Sequence, residues 1–163
     1  MTDALFQFDY ELRQHLRKNL ASGQSHATNT ETLANFPRTL QGKKADGIEH
    51  TAWQLLEHMR MAQADILDFC VNPLYEPPTW PDDYWTAVAE PPSERAWEES
   101  CQRFHADLEA LQECIADREQ NLFERISWGK GQTILREALL AADHNSYHLG
   151  QIMMLRKALG AWN

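Results

Sequence analysis

Residues 133–159, TILREALLAADHNSYHLGQIMMLRKAL, decide the fold. Their apolar positions recur at helical rather than strand spacing. Gly129 and Gly131 break the chain just before them, and Thr133 is a natural helix N-cap. On such a helix Glu137, Ala141, His144, His148, Gln151 and Leu155 fall on one stripe, which turns two imidazoles toward an interior. His144 and His148 stand four residues apart, one turn above the other. Two imidazoles so placed can share one metal ion, as in other helical HxxxH sites.

Working outward, three more segments carry the helical period. The first runs from about Thr2 to Ser22, with Thr2 as cap, Gly23 as stop and Leu5, Phe8, Leu12, Leu16 and Leu20 as its stripe. The second runs from about Ile48 to Val71, ends at Pro73, and presents Leu55, His58, Ala62, Ile66 and Phe69 on one side. The third runs from Ser93, a cap, to about Asp117, with Trp97, Cys101, Phe104, Leu108, Leu111 and Ile115 inward. The expected fold is therefore all-α, a four-helix bundle with long inter-helix linkers, in one domain spanning 1–163. Trp53 and Trp97 are expected in its core.

The linkers leave the bundle topology open. Residues 22–47 are polar with Gly and Pro, and ETLANF within them can add a short helical turn. Residues 72–92, NPLYEPPTWPDDYWTAVAEPP, hold six of the seven prolines and cannot form regular helix. Either linker is long enough to run the length of a helix. The aromatics of PTWPDDYW either lid the metal face or pin the linker to the bundle, and pinning is the expectation.

Composition narrows the function. The chain has 163 residues, 43% of them hydrophobic, enough for a real core. Lys+Arg number 15 against 24 Asp+Glu, for a net charge of −9, and no basic run stands out. Phosphate backbones are repelled, so nucleic acid is not an expected partner. No stretch of about 20 apolar residues suggests a membrane span, and the N-terminus lacks a signal-peptide core. A cytoplasmic location follows as the default. Cys70, Cys101 and Cys114 have no CxxC spacing and read as small core residues.

His58 on its inward stripe adds a third imidazole to His144 and His148. Three neutral imidazoles from two helices make a three-nitrogen site with room for further ligands, the pattern of a catalytic metal. Each histidine singly could instead cap a carbonyl or meet an acid in the core. His50, two turns earlier, is a more distant rival for third ligand, His26 lies in a linker, and His15 and His105 are expected at the surface. Asp65, Glu137 and Gln151 lie one or two turns from the ligands and are candidates to orient an imidazole, against ordinary surface polarity. Glu57 and Asp143 adjoin ligands but point away. No catalytic base can be chosen.

At WQLLEHMRMAQADIL (53–67) and WGKGQTILREALLAADHNSYHLGQIMMLRKALG (128–160) the chain resembles the DinB-like (DinB/YfiT) metalloenzyme family, and the agreement of gap lengths extends the resemblance over nearly the whole chain. The resemblance implies a four-helix bundle, a metal triad landing on His58, His144 and His148, and divalent nickel or zinc as the ion. It also implies a small-molecule substrate, with low-molecular-weight thiols used by some members as transferases or isomerases, and a homodimer. Apolar residues on more than one face of the last helix, Leu139, Leu140, Met153 and Met154, add to the dimer expectation. The functions in contention are a metal-dependent transferase or hydrolase, a non-catalytic metal- or small-molecule-binding stress protein, and a structural helical dimer.

Overall fold

The computed structural model describes residues 3–21 and 24–162. The chain is all-α, with helices α1 (Asp3–Ala21), α2 (Asn29–Leu33), α3 (Ala52–Val71), α4 (Ala96–Ala116) and α5 (Ile134–Ala158). Among the described residues there is no strand beyond one isolated bridge, Arg125 with Thr133. No helix is long and apolar enough to cross a membrane. The cap at Thr2, the end at Ser22 and the stop at Gly23 lie outside the described residues.

Local chemistry sets the helix starts. The second long helix begins at Ala52 rather than Ile48, because Thr51 caps it: its hydroxyl accepts from the Gln54 amide while the Gln54 side chain accepts from the Thr51 amide. Thr133 caps α5 as expected, accepting from Arg136 N–H. Ser93 does not cap α4. That helix starts at Ala96, and Arg95 stands at its N-cap without a side-chain bond. A short helix does form there, but two residues earlier than ETLANF, as α2, because a Thr28–Glu31 capping box opens it and Ala34 is already extended.

One hydrophobic cluster draws on all four long helices, with Leu16 and Leu20 from α1, Leu55, Met59 and Ile66 from α3, Phe104, Leu108 and Leu111 from α4, and Leu149, Ile152 and Leu155 from α5. Trp53 and Trp97 are buried in it. Helices α1 and α3 each pack against both α4 and α5. The stripe of α1 does not hold along its length. Leu5 and Phe8 are 58% and 72% exposed. The Arg13 guanidinium explains this, since it donates to the carbonyls of Ile115, Asp117 and Gln120 and so sits level with the end of α4. The two turns before Arg13 have no α4 to face.

Cross-helix contacts fix directions. His58 meets His144, Gln63 meets Asn145 and Cys70 lies in the field of Glu137, so α3 and α5 run antiparallel. Glu57 meets Ser100 and Cys70 senses Cys114, so α3 and α4 run parallel. The chain must therefore return the length of α3 before α4 begins. Residues 72–95 do so as a strap laid antiparallel on α3. Tyr75 and Tyr84 bond Asp65, the Tyr84 carbonyl meets His58, the Thr86 carbonyl accepts from Gln54, and the Ala89 carbonyl accepts from Thr51.

Arg156 clamps the first linker. It is 9% exposed, and it donates to the carbonyls of Glu31, Thr32, Ala34, Asn35 and Ala161. Asn35, with φ of 53°, makes the left-handed turn that gathers these carbonyls, a conformation asparagine tolerates. Arg156→Ala would strand several carbonyls around a cavity. Charge-assisted bonds of this kind set the expected loss at about 3 kcal/mol. Urea unfolding of the variant and parent measures it.

Candidate metal centre

The antiparallel pairing of α3 and α5 brings His58, His144 and His148 together. Each offers a ligand atom, and these atoms all lie within 4.8 Å of one another. His58 and His148 are 3% and 7% exposed, and His144 is half-buried. The His58 and His144 Nε2 atoms face each other at 3.1 Å. Nitrogens bound at about 2.0–2.1 Å to a single ion lie no more than about 4.2 Å apart, so the trio is close to that span.

The outer nitrogens are committed in two of the rings. His58 Nδ1–H donates to the Tyr84 carbonyl at 2.8 Å. His148 Nδ1–H donates to Gln151 Oε1 at 2.7 Å. Both bonds leave Nε2 unprotonated and able to accept or to ligate, the usual device by which a neighbouring acceptor fixes an imidazole's tautomer. Of the three candidates to accept from an imidazole, Gln151 does so. His144 Nδ1 is buried, and the only group near enough to act on it is the Asn145 side chain, whose Oδ1 is buried too and makes no well-formed hydrogen bond with it. With its own proton on Nδ1, His58 can only accept at Nε2 from His144 Nε2–H or ligate a cation there, and a cation could take a lone pair from each of the three rings at once.

Burial pushes all three imidazoles toward the neutral form. His144 and His148 fall to about 4, chiefly through desolvation and then through the field of a neighbouring histidine. His58 is lowered by burial, against the opposing bond to the Tyr84 carbonyl. Neutral imidazole is the metal-binding form.

The other candidates separate. Asp65 does not orient an imidazole. It accepts from the Tyr75 and Tyr84 hydroxyls at 2.8 and 2.7 Å, and burial, followed by that pairing, pushes both phenols up. Glu137 meets Arg136 and not a histidine, and burial raises its carboxyl. Glu57 turns to Arg60 and Ser100. His50 is no third ligand, but it stacks on Trp85 at 4.2 Å, and Trp85 stacks on His58 at 3.9 Å and 5°. His26 is exposed and bonds Ala27. His15 is exposed as expected, whereas His105 is half-buried with Nε2 unpartnered.

Sequence reasoning underrated the strap. Pinning and covering turn out to be one arrangement, because Tyr84 and Trp85 hold the strap down by contacts to His58 itself. Proline density and the WxxxYW pattern were the available signal. The strap, α3 and α5 enclose a cavity of about 760 Å³ lined by the three histidines, Asp65, Trp80 and Trp85 among others. No cysteine lines it, and burial pushes the Cys101 thiol up to about 12, so the chain's own thiols are poor nucleophiles.

No protein-family model, curated protein or solved structure matches the chain.

Below about pH 6.5 the unfolded chain protonates His144 and His148 while the folded, metal-free chain does not. The unfolded state then binds more protons, so stability is intact above pH 6.5 and falls as the pH drops toward 4. Urea unfolding midpoints of chelator-treated protein at pH 7.5, 6 and 5 should decrease in that order.

Proposed function

We propose that the four long helices form a DinB-like four-helix bundle with long inter-helix linkers, and that the protein is a metal-dependent enzyme of that kind. His58, His144 and His148 would hold the ion, nickel or zinc. The observation that carries this reading is the convergence of three neutral imidazoles whose outer nitrogens, in two of the rings, are already committed to acceptors. A three-histidine centre supplies a Lewis acid or an activated water or thiol in its remaining positions.

The chain's residues define the rest. Tyr84 and Gln151 orient ligands, Trp85 covers His58, and Asp65 holds the strap against the cavity through two phenols. The cavity gives a small-molecule substrate a place beside the histidines. Transfer to or from a low-molecular-weight thiol, or hydrolysis, fits such a site in a cytoplasmic protein. A homodimer through α5 is supported by Leu139 and Met154, which leave 50% and 58% of their surface exposed.

Elemental analysis and titration calorimetry test the reading on tag-free protein. The expected result is one equivalent of zinc or nickel per chain, bound at pH 7.5 and released as the pH falls. His144→Ala should weaken binding by at least about a hundredfold while the helical circular dichroism persists, since two imidazoles make a poor site. Gln151→Ala should cost about tenfold in affinity, the usual worth of an orienting partner. Metal binding unchanged in His144→Ala would refute the assignment.

A further inference from the structure

The formal charges in the lining of the histidine cavity are of one sign. Its charged residues are acidic, Asp65 and Glu49, and no lysine or arginine among the described residues lines it. Lys130 and Arg136 line a second cavity of about 450 Å³ across a shared wall of Asp65, Ile66 and Leu140. Arg136 is already paired with Glu137 there, at 2.8 Å. Helix α3 offers an anion little, because its capping box already uses the Gln54 amide and turns the Gln54 carboxamide oxygen to the Thr51 amide. The chain's net charge of −9 adds a field of the same sign.

The mouth is aromatic. Trp80 and Tyr147 both line the cavity, yet remain 70% and 64% exposed. Large aromatic surfaces left to water around a concave site are what a ligand's apolar body would cover. Inside, Ile66, Leu55 and Leu140 continue the apolar wall. A volume of about 760 Å³ suits a ligand of two or three rings.

We propose that this cavity, with its three-histidine centre empty, takes an uncharged or cationic organic molecule with a planar apolar body, seated between Trp80 and Tyr147, and that its lining disfavours phosphorylated and carboxylate ligands of the same shape. The preference belongs to the lining and not to the ion, whose own charge would be added to that of the lining in the metal-loaded protein of the reading above.

Three probes of one shape test it by calorimetry at pH 8 on the full chain: 2-naphthamide, 2-naphthamidine and 2-naphthoate. In chelator-treated protein the amide and the amidine should each bind at least about tenfold tighter than the carboxylate. Trp80→Ala with Tyr147→Ala should weaken the amide by about tenfold. Both residues are mostly exposed, so the variant should fold, and circular dichroism checks that. Glu49→Lys should narrow the amide-to-carboxylate ratio. Carboxylate binding as tight as the amide overturns the proposal, as does an amide affinity indifferent to the double variant, or no binding of any probe. Failure of the protein to take up either zinc or nickel refutes the metal reading alone, because the probe ratios are measured without metal.

Discussion

The hydrogen bond from His58 Nδ1 to the Tyr84 carbonyl joins the two parts of this molecule that make a site. Its donor is on α3 and its acceptor on the strap, 26 residues later. Through it the strap sets the tautomer of His58, so that Nε2 faces His144 rather than solvent. The same strap residue anchors to Asp65 by its hydroxyl, and its neighbour Trp85 lies flat on the His58 ring. One short segment thus fixes a candidate ligand, covers it and walls the cavity beside it. The parallel course of α3 and α4 requires such a segment, since the chain has to travel back along α3 in any case.

Polar atoms are placed on both sides of a balance. The core spends buried arginines on carbonyls, with Arg13 on the end of α4 and Arg156 on the first linker, so those charges are satisfied. Near the histidines the accounts stay open. His144 Nδ1, Asn145 Oδ1 and Gln63 Nε2 are buried and bare, even though Asn145 donates to Gln63 at 2.8 Å. One of these atoms belongs to the trio of imidazoles itself, while Arg17 Nε, Trp53 Nε1 and His105 Nε2 are equally bare in other parts of the molecule.

Much of this was legible in the sequence because helical period is a strong signal. The stripe of α5 placed His144 and His148 together, and the stripe of α3 placed His58 opposite. Gln151 was found by the same spacing. What escaped was everything set by irregular backbone. Asp65 and Glu137 have the right spacing to reach an imidazole, yet Tyr75 and Tyr84 from the strap take the one and Arg136 takes the other. No periodic argument anticipates where a proline-rich strap turns its hydroxyls. Leu5 and Phe8 misled for a related reason: period says which face would be buried, and only the length of the neighbouring helix says whether anything lies opposite.

The central claim is that three imidazoles from α3 and α5 hold one ion. X-ray absorption fine structure of the zinc- or nickel-loaded protein tests it most directly. The spectrum should show about three imidazole nitrogens at about 2.0–2.1 Å, with the outer-shell scattering of intact rings and the remaining positions filled by oxygen or nitrogen. A first shell containing sulfur at about 2.3 Å, or oxygen alone without imidazole scattering, would place the ion elsewhere and contradict the assignment.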